Sequence, residues 1–207
     1  MRYLNKIVFL NSAHIPYSEI QLDGNVHFIG TQGVGKSTLL RAILFFYNAD
    51  TQRLGIPVEK KSYQDYYFPY ADSSIIYEVA REDGWFTVLS YKTMNRICYR
   101  FIASPYRPDL FIDEEGAPYP SDRIRSVLDK NGIKYSGAIS TYEEYRNILY
   151  GNSDNKRDYS CYSLMESGSY QNIIRTIQNV LLNSRLEADY IKQTIITSLN
   201  EADSVID

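Results

Sequence analysis

Nine consecutive residues, Gly30-Thr31-Gln32-Gly33-Val34-Gly35-Lys36-Ser37-Thr38, carry the spacing G-x-x-x-x-G-K-[ST] of a phosphate-binding loop. With average glycine usage, a chance match somewhere in a chain this long has a probability under about 1%. The chemistry requires these residue types. Gly30, Gly33 and Gly35 let the backbone wrap a phosphate with its N–H groups turned inward. A helix beginning near Lys36 adds its positive dipole end. Lys36 is placed to reach the β- and γ-phosphates as a point charge, and the Ser37 hydroxyl to ligate Mg²⁺. The chain is therefore expected to bind a nucleoside triphosphate with Mg²⁺.

A second stretch could complete the chemistry. Leu110-Phe111-Ile112 followed by Asp113 and Glu114 resembles the Walker B acid pair, on which a self-contained P-loop ATPase or kinase would depend. Walker B strands offer about four apolar residues in a buried parallel strand. Here Pro108 and Asp109 leave three, and Glu115-Gly116 turns the chain at once, so the expectation is a hairpin tip. Two histidines, His14 and His27, are separated and have no carboxylate beside them in sequence. Lys60 and Lys61 would suit a phosphate contact with DNA or stand as a solvated pair. Tyr66, Tyr67, Phe68 and Tyr70 could stack nucleobases or fill a half-buried sheet surface.

The elements around the loop are legible from periodicity. Residues 6–11 and 17–22 read as short strands, and Asp23-Gly24 is a turn signal leading to a third strand that ends at Gly30. From Lys36, apolar Leu39, Leu40, Ile43, Leu44 and Tyr47 recur at helical spacing up to Tyr47. Residues 49–73 have no clear period and read as a long polar loop. Residues 74–80, 85–92 and 96–103 are β-branched and aromatic, with Asp83-Gly84 as the first turn, and form an antiparallel meander. Ser121 is expected to cap a helix ending near Asn131-Gly132. Thr141 and Glu144 form a capping box for another helix, ending at Gly151. Residues 151–158 read as a surface loop. Beyond about residue 169, two helical stripes follow: Ile173, Ile174, Ile177, Val180 and Leu181, then Leu186, Tyr190, Ile191, Ile195 and Leu199.

Composition sets the bounds. The chain has 207 residues, 44% apolar and 23% charged, with a formal net charge of −3. These are the values of a globular protein with no global attraction to nucleic acid or anionic lipid. No apolar run approaches the roughly 20 residues of a membrane span, and no cleavage site suggests a signal peptide. Cys98 and Cys161 lack metal spacing, which fits a reducing cytoplasm. Twenty tyrosines are an unusual number.

Among P-loop classes, a guanine-reading Asn-Lys-x-Asp motif is missing, since "LDKNG" has the wrong order, and no arginine-rich kinase lid follows, Arg96 and Arg100 being the nearest candidates. An early β-hairpin before the P-loop and a sheet mixing strand directions leave the ABC-type ATPases. At this point "YSEIQLDGNVHFIGTQGVGKSTLLRAILFFYNAD" resembles the N-terminal head segment of SMC-like ATPases, the group with SMC proteins, MukB and SbcC-type repair ATPases. "GIPVEKKSYQDYYFPYADSSIIYEV" and "QNVLLNSRLEADYIKQTI" are similar to the MukB-like, JetC-type subunits of Wadjet plasmid-defence systems. Gln32 stands where many SMC heads carry Asn.

The resemblance implies an α/β fold with a mixed sheet: residues 1–168 as the N-terminal lobe of an ATPase head, and 169–207 as the start of a coiled-coil neck. It implies Mg-ATP as ligand and Gln171 as the Q-loop residue at Mg²⁺ and the attacking water, with Gln178 competing. Asn11 to Ala13 become candidates for contact with ribose or base. It further implies partners: a C-terminal head lobe supplying signature motif and Walker B, a second head in a homodimer, and DNA through the full assembly, with no membrane role. No Leu-Ser-Gly-Gly follows the P-loop, the nearest mimic being Glu166 to Gln171. This chain by itself is thus expected to be inactive or weak as an ATPase, or to act as a nucleotide-gated interaction module.

Overall fold

The computed structural model describes residues 2–22, 27–30, 35–47, 63–94, 96–151 and 159–164, with residues 27–30, 36, 37 and 40 described by backbone alone. Its centre is a six-stranded sheet in the order β3-β2-β1-β4-β5-β6. The strands are β1 (Tyr3–Ser12), β2 (Ile15–Gln21), β3 (His27–Gly30), β4 (Ser74–Arg81), β5 (Gly84–Thr93) and β6 (Arg96–Ile102). Each pairing among them is antiparallel. The parallel component expected of a mixed sheet does not occur among the described residues. Short connections explain three of the pairings: β1 and β2, β4 and β5, and β5 and β6 are each joined by two residues and can only run antiparallel.

The turn between β4 and β5 falls one residue earlier than expected. Arg81 pairs with Gly84, so Glu82 and Asp83 form the loop, and Gly84 enters β5 at φ 141°, a value glycine tolerates.

Helices cover both faces, giving three layers. Along β1 and β4 successive side chains point to opposite sides. Ile7, Phe9, Ile75 and Tyr77 face one cluster, while Val8, Leu10 and Ile76 face the other. The first cluster holds helix α1 (Lys36–Tyr47), α2 (Tyr63–Tyr67), α4 (Tyr142–Leu149) and the 3₁₀ turn Ser160–Tyr162. The second is closed by α3 (Ser121–Lys130) and the 3₁₀ turn Pro108–Leu110. Two buried faces account for strands that read as near-continuous apolar runs.

Helix α1 has the expected bounds, but its burial differs from the one-stripe expectation. Every residue from Arg41 to Tyr47 is buried. A helix enclosed on all sides has no solvated face to reveal a stripe. The segment 49–73, expected as an unstructured loop, contains α2, where Tyr67 and then Phe68 enter the core.

The caps were partly legible. Thr141 caps α4, its hydroxyl accepting from the Glu144 N–H at 3.2 Å, and Gly151 follows at φ 73°. At α3 the cap is Pro120, and Ser121 is the first helical residue with no capping side chain. Asn131 and then Gly132 at φ 66° end that helix as expected. Thr141→Ala is expected to lower unfolding free energy by about 1 kcal/mol, with Thr141→Ser near wild type. Denaturant titration measures both, and equal losses would show that the hydroxyl is not the cap.

Candidate nucleotide-binding site

The edge strand β3 pairs with β2 so that Gly30 lies opposite Ser18. Thr31, Gln32, Gly33 and Val34 lie outside the described residues, and α1 opens at Lys36. The strand before the motif and the helix at its end thus fall where the motif requires them. Gly35 accepts from the Leu39 N–H at 3.1 Å, and a Cβ built on it meets nothing within 4 Å. Lys36 and Ser37 occupy the first turn of α1, where backbone N–H groups have no partner within the helix. Gln171, Gln178, Lys60 and Lys61 lie outside the described residues, as do the Asp23-Gly24 turn, residues 152–158, the mimic at Glu166 to Gln171 and both terminal helical stripes.

Two tyrosines of α2 meet α1 at Thr38. The Tyr67 phenol donates to the Thr38 carbonyl at 2.8 Å, and the Tyr66 phenol lies 3.1 Å from Thr38 Oγ1. Tyr66 also binds the turn between β1 and β2. Its carbonyl accepts from the Ala13 N–H at 3.2 Å, and its ring meets His14 edge-on at 5.9 Å. That turn holds Asn11, Ala13 and His14 at φ of 47°, 52° and 62°. Three non-glycine residues in the left-handed region within four positions are an unfavourable set that surrounding contacts must hold. Besides Tyr66, Ser73 Oγ donates to the Asn11 carbonyl, and Asn11 Nδ2 donates to Asp72 at 3.1 Å. Asn11 is therefore committed to the protein, and His14 is the exposed group of this turn.

The tyrosine cluster resolves toward packing. Tyr67 and Phe68 are buried, Tyr66 is half-buried, and only Tyr70 of the four is exposed, at 58%. The signal that sequence reasoning did not use is the tyrosine count itself. Phenols from three elements donate to carbonyls of α1: Tyr67 to Thr38, Tyr77 of β4 to Ala42 at 2.8 Å, and Tyr145 of α4 to Phe46. Positions 38, 42 and 46 are four apart and so lie on one side of the helix. Just beyond α4, Tyr150 donates to the Tyr47 carbonyl at 2.8 Å. Phe46 and Tyr47 are in the last turn, where carbonyls have no helical donor. No basic side chain lies there, so phenols supply those bonds. Burial raises the pKa of Tyr77 and Tyr145 well above the ordinary phenol value, which keeps these buried donors protonated.

The acidic pair is elsewhere. Pro108–Leu110 forms a 3₁₀ turn, and Ile112 makes a single bridge to Pro118. Asp113 closes the tip, its Oδ1 accepting from the Glu115 and Ala117 N–H groups at 2.9 Å each, and Gly116 has φ 84°. Leu110, Phe111 and Ile112 pack in the cluster on the sheet face opposite α1. Asp113 and Glu114 are thus a hairpin tip and not a strand end on the face of α1. Asp113→Asn is expected to leave nucleotide affinity within about twofold of wild type, because only a turn oxygen changes. A large loss of affinity with an unchanged unfolding midpoint would restore the Walker B reading.

Other candidates are absorbed by the fold. Arg100 is buried, donates to the Ser136 carbonyl at 2.7 Å and lies over the Tyr135 ring. Cys98 and Cys161 are free thiols, the first buried and the second exposed. Among the described residues no group of three or more His, Cys, Asp or Glu side chains could hold a metal ion. Among the described residues, too, no helix is long and apolar enough to cross a membrane.

A family model described as a protein of unknown function, DUF3584, matches residues 14–207. No curated protein and no solved structure matches the chain.

Proposed function

The chain belongs to the DUF3584 family, and from that premise we propose that it is the ATP-binding N-terminal lobe of an SMC-like ATPase head. The observation that carries this reading is Gly30 to Thr38, a full phosphate-loop motif set between β3 and α1. Gly30, Thr31, Gln32, Gly33, Val34 and Gly35 would wrap the phosphates, Lys36 would neutralise the β- and γ-oxygens, and Ser37 would ligate Mg²⁺. Thr38 would add a hydroxyl one position further into the helix. When bound, Mg²⁺ supplies charge neutralisation across the β- and γ-phosphates.

The position of β3 fits a divided head. It is the edge of the sheet, and among the described residues no strand pairs on its outer side. The opposite edge is treated differently: β6 is bridged by Ile139 at Tyr99 and by Tyr135 at Ile102. An unpaired edge invites another strand, and in the proposed head the C-terminal lobe lays its Walker B strand there. Gln171 would read Mg²⁺ and the attacking water. A second, identical head would close over the nucleotide, driving a coiled-coil machine on DNA in the cytoplasm. Plasmid defence, repair and chromosome organisation are the uses this architecture serves.

The test is titration of the purified chain with a fluorescent ATP analogue, with and without Mg²⁺, beside an ATP hydrolysis assay. Weak, Mg-dependent binding and negligible turnover are expected, because signature and catalytic carboxylate come from other segments. Rapid hydrolysis by this chain, abolished by Lys36→Ala, would overturn the divided-head reading while leaving the P-loop intact. No binding at millimolar nucleotide would overturn both.

A further inference from the structure

We propose that Tyr66 is a positioning residue for the nucleotide, acting through the Thr38 hydroxyl. This rests on the P-loop reading above. A helical threonine divides between two χ1 states, one of which turns Oγ1 back onto a carbonyl three or four residues earlier. Thr38 Oγ1 lies 3.1 Å from the Tyr66 phenol, a partner outside its own helix that competes with that alternative when the threonine is the donor. A hydroxyl has one proton and two lone pairs. With Tyr66 donating into Thr38 Oγ1, the threonine proton is free to be donated to a phosphate oxygen. A chain of donors ending on an anion strengthens each bond in it.

Tyr66 is itself fixed from two sides. Its backbone carbonyl accepts from Ala13, its ring meets His14, and the next residue, Tyr67, is anchored on the Thr38 carbonyl. The phenol is therefore held by three elements: the left-handed turn after β1, α2 and the first turn of α1. Nucleotide binding at Thr38 should be felt at α2, and a change at α2 should be felt in nucleotide affinity.

A double-mutant cycle tests this, read as Mg-dependent affinity for a fluorescent ATP analogue. Tyr66→Phe and Thr38→Val are each expected to weaken binding by about fivefold to tenfold, and the double variant no further than the weaker single one. Thr38→Ser keeps the hydroxyl and should keep the sensitivity to Tyr66→Phe. Independently of variants, the ¹³Cζ resonance of Tyr66 in tyrosine-labelled wild type should shift on adding Mg-ATP. Additive losses in the cycle, or an unmoved Tyr66 resonance, would overturn the proposal. Should Lys36→Ala abolish binding while Tyr66→Phe binds as wild type, only this inference fails. Should wild type and Lys36→Ala behave alike, the P-loop reading fails and takes the inference with it.

Discussion

Lys36→Ala is expected to reduce Mg-ATP affinity on the order of 100-fold while leaving the unfolding midpoint unchanged. The size follows from the bonds lost. An ammonium on two phosphate oxygens makes charge-assisted hydrogen bonds worth about 1.5–3 kcal/mol each, and about 1.4 kcal/mol corresponds to a factor of ten. The stability expectation follows from position. Lys36 is in the first turn of α1, before the segment Arg41 to Tyr47 where the helix becomes fully buried. Lys36→Arg keeps the charge but not the compact ammonium, and its affinity should fall between the two. Equal affinities for wild type and Lys36→Ala would end the nucleotide reading.

The largest stability effect is expected at Tyr145. Its side chain is fully buried, stacks on Tyr99 at 4.1 Å between ring centroids, and donates to the Phe46 carbonyl. Tyr145→Ala removes the ring and should cost about 3–5 kcal/mol, the usual range for emptying a large aromatic site. Domains have only about 5–15 kcal/mol in total, so this variant should sit near the edge of folding at 37 °C. Tyr145→Phe keeps the ring and deletes only the donor. It leaves a buried carbonyl in the last turn of α1 without a partner, at a cost of about 1–3 kcal/mol. Denaturant midpoints for the two variants separate packing from hydrogen bonding. A Tyr145→Phe midpoint equal to wild type would show that the phenol contributes nothing to holding the helix.

These two residues mark different kinds of legibility. Lys36 could be singled out from sequence because the motif it belongs to is a local pattern: glycines, a cation and a hydroxyl within nine residues. The strand before it and the helix after it were legible for the same reason, since their periodicities are local. So were the hairpins from β4 to β6, the cap at Thr141 and the glycine ends at Gly132 and Gly151. Tyr145 could not be named. Its acceptor lies 99 residues away in sequence, and nothing in the residues around it encodes that distance.

The tip at Asp113 shows the boundary between the two. Local signals, Pro108 before and Gly116 after, already favoured a turn over a catalytic strand. That it lies across the sheet from α1 depends on which face the Leu110 and Phe111 side chains enter, a choice made by the whole sheet. Helix α2 was missed for a related reason. Five residues carry too little period to announce a helix, and Tyr67 and Phe68 take their places only because a core is there to receive them.

By itself, then, the sequence determined the strand that ends at Gly30, the helix that opens at Lys36 and the antiparallel meander, because each is written in neighbouring residues. Only the tertiary structure decided that β3 is an edge among the described strands, that both sheet faces are covered, and that tyrosines from α2, β4 and α4 grip α1 by its carbonyls. Those outcomes depend on contacts between residues far apart in the chain, where burial and unmet hydrogen bonds, not local propensity, select the partner.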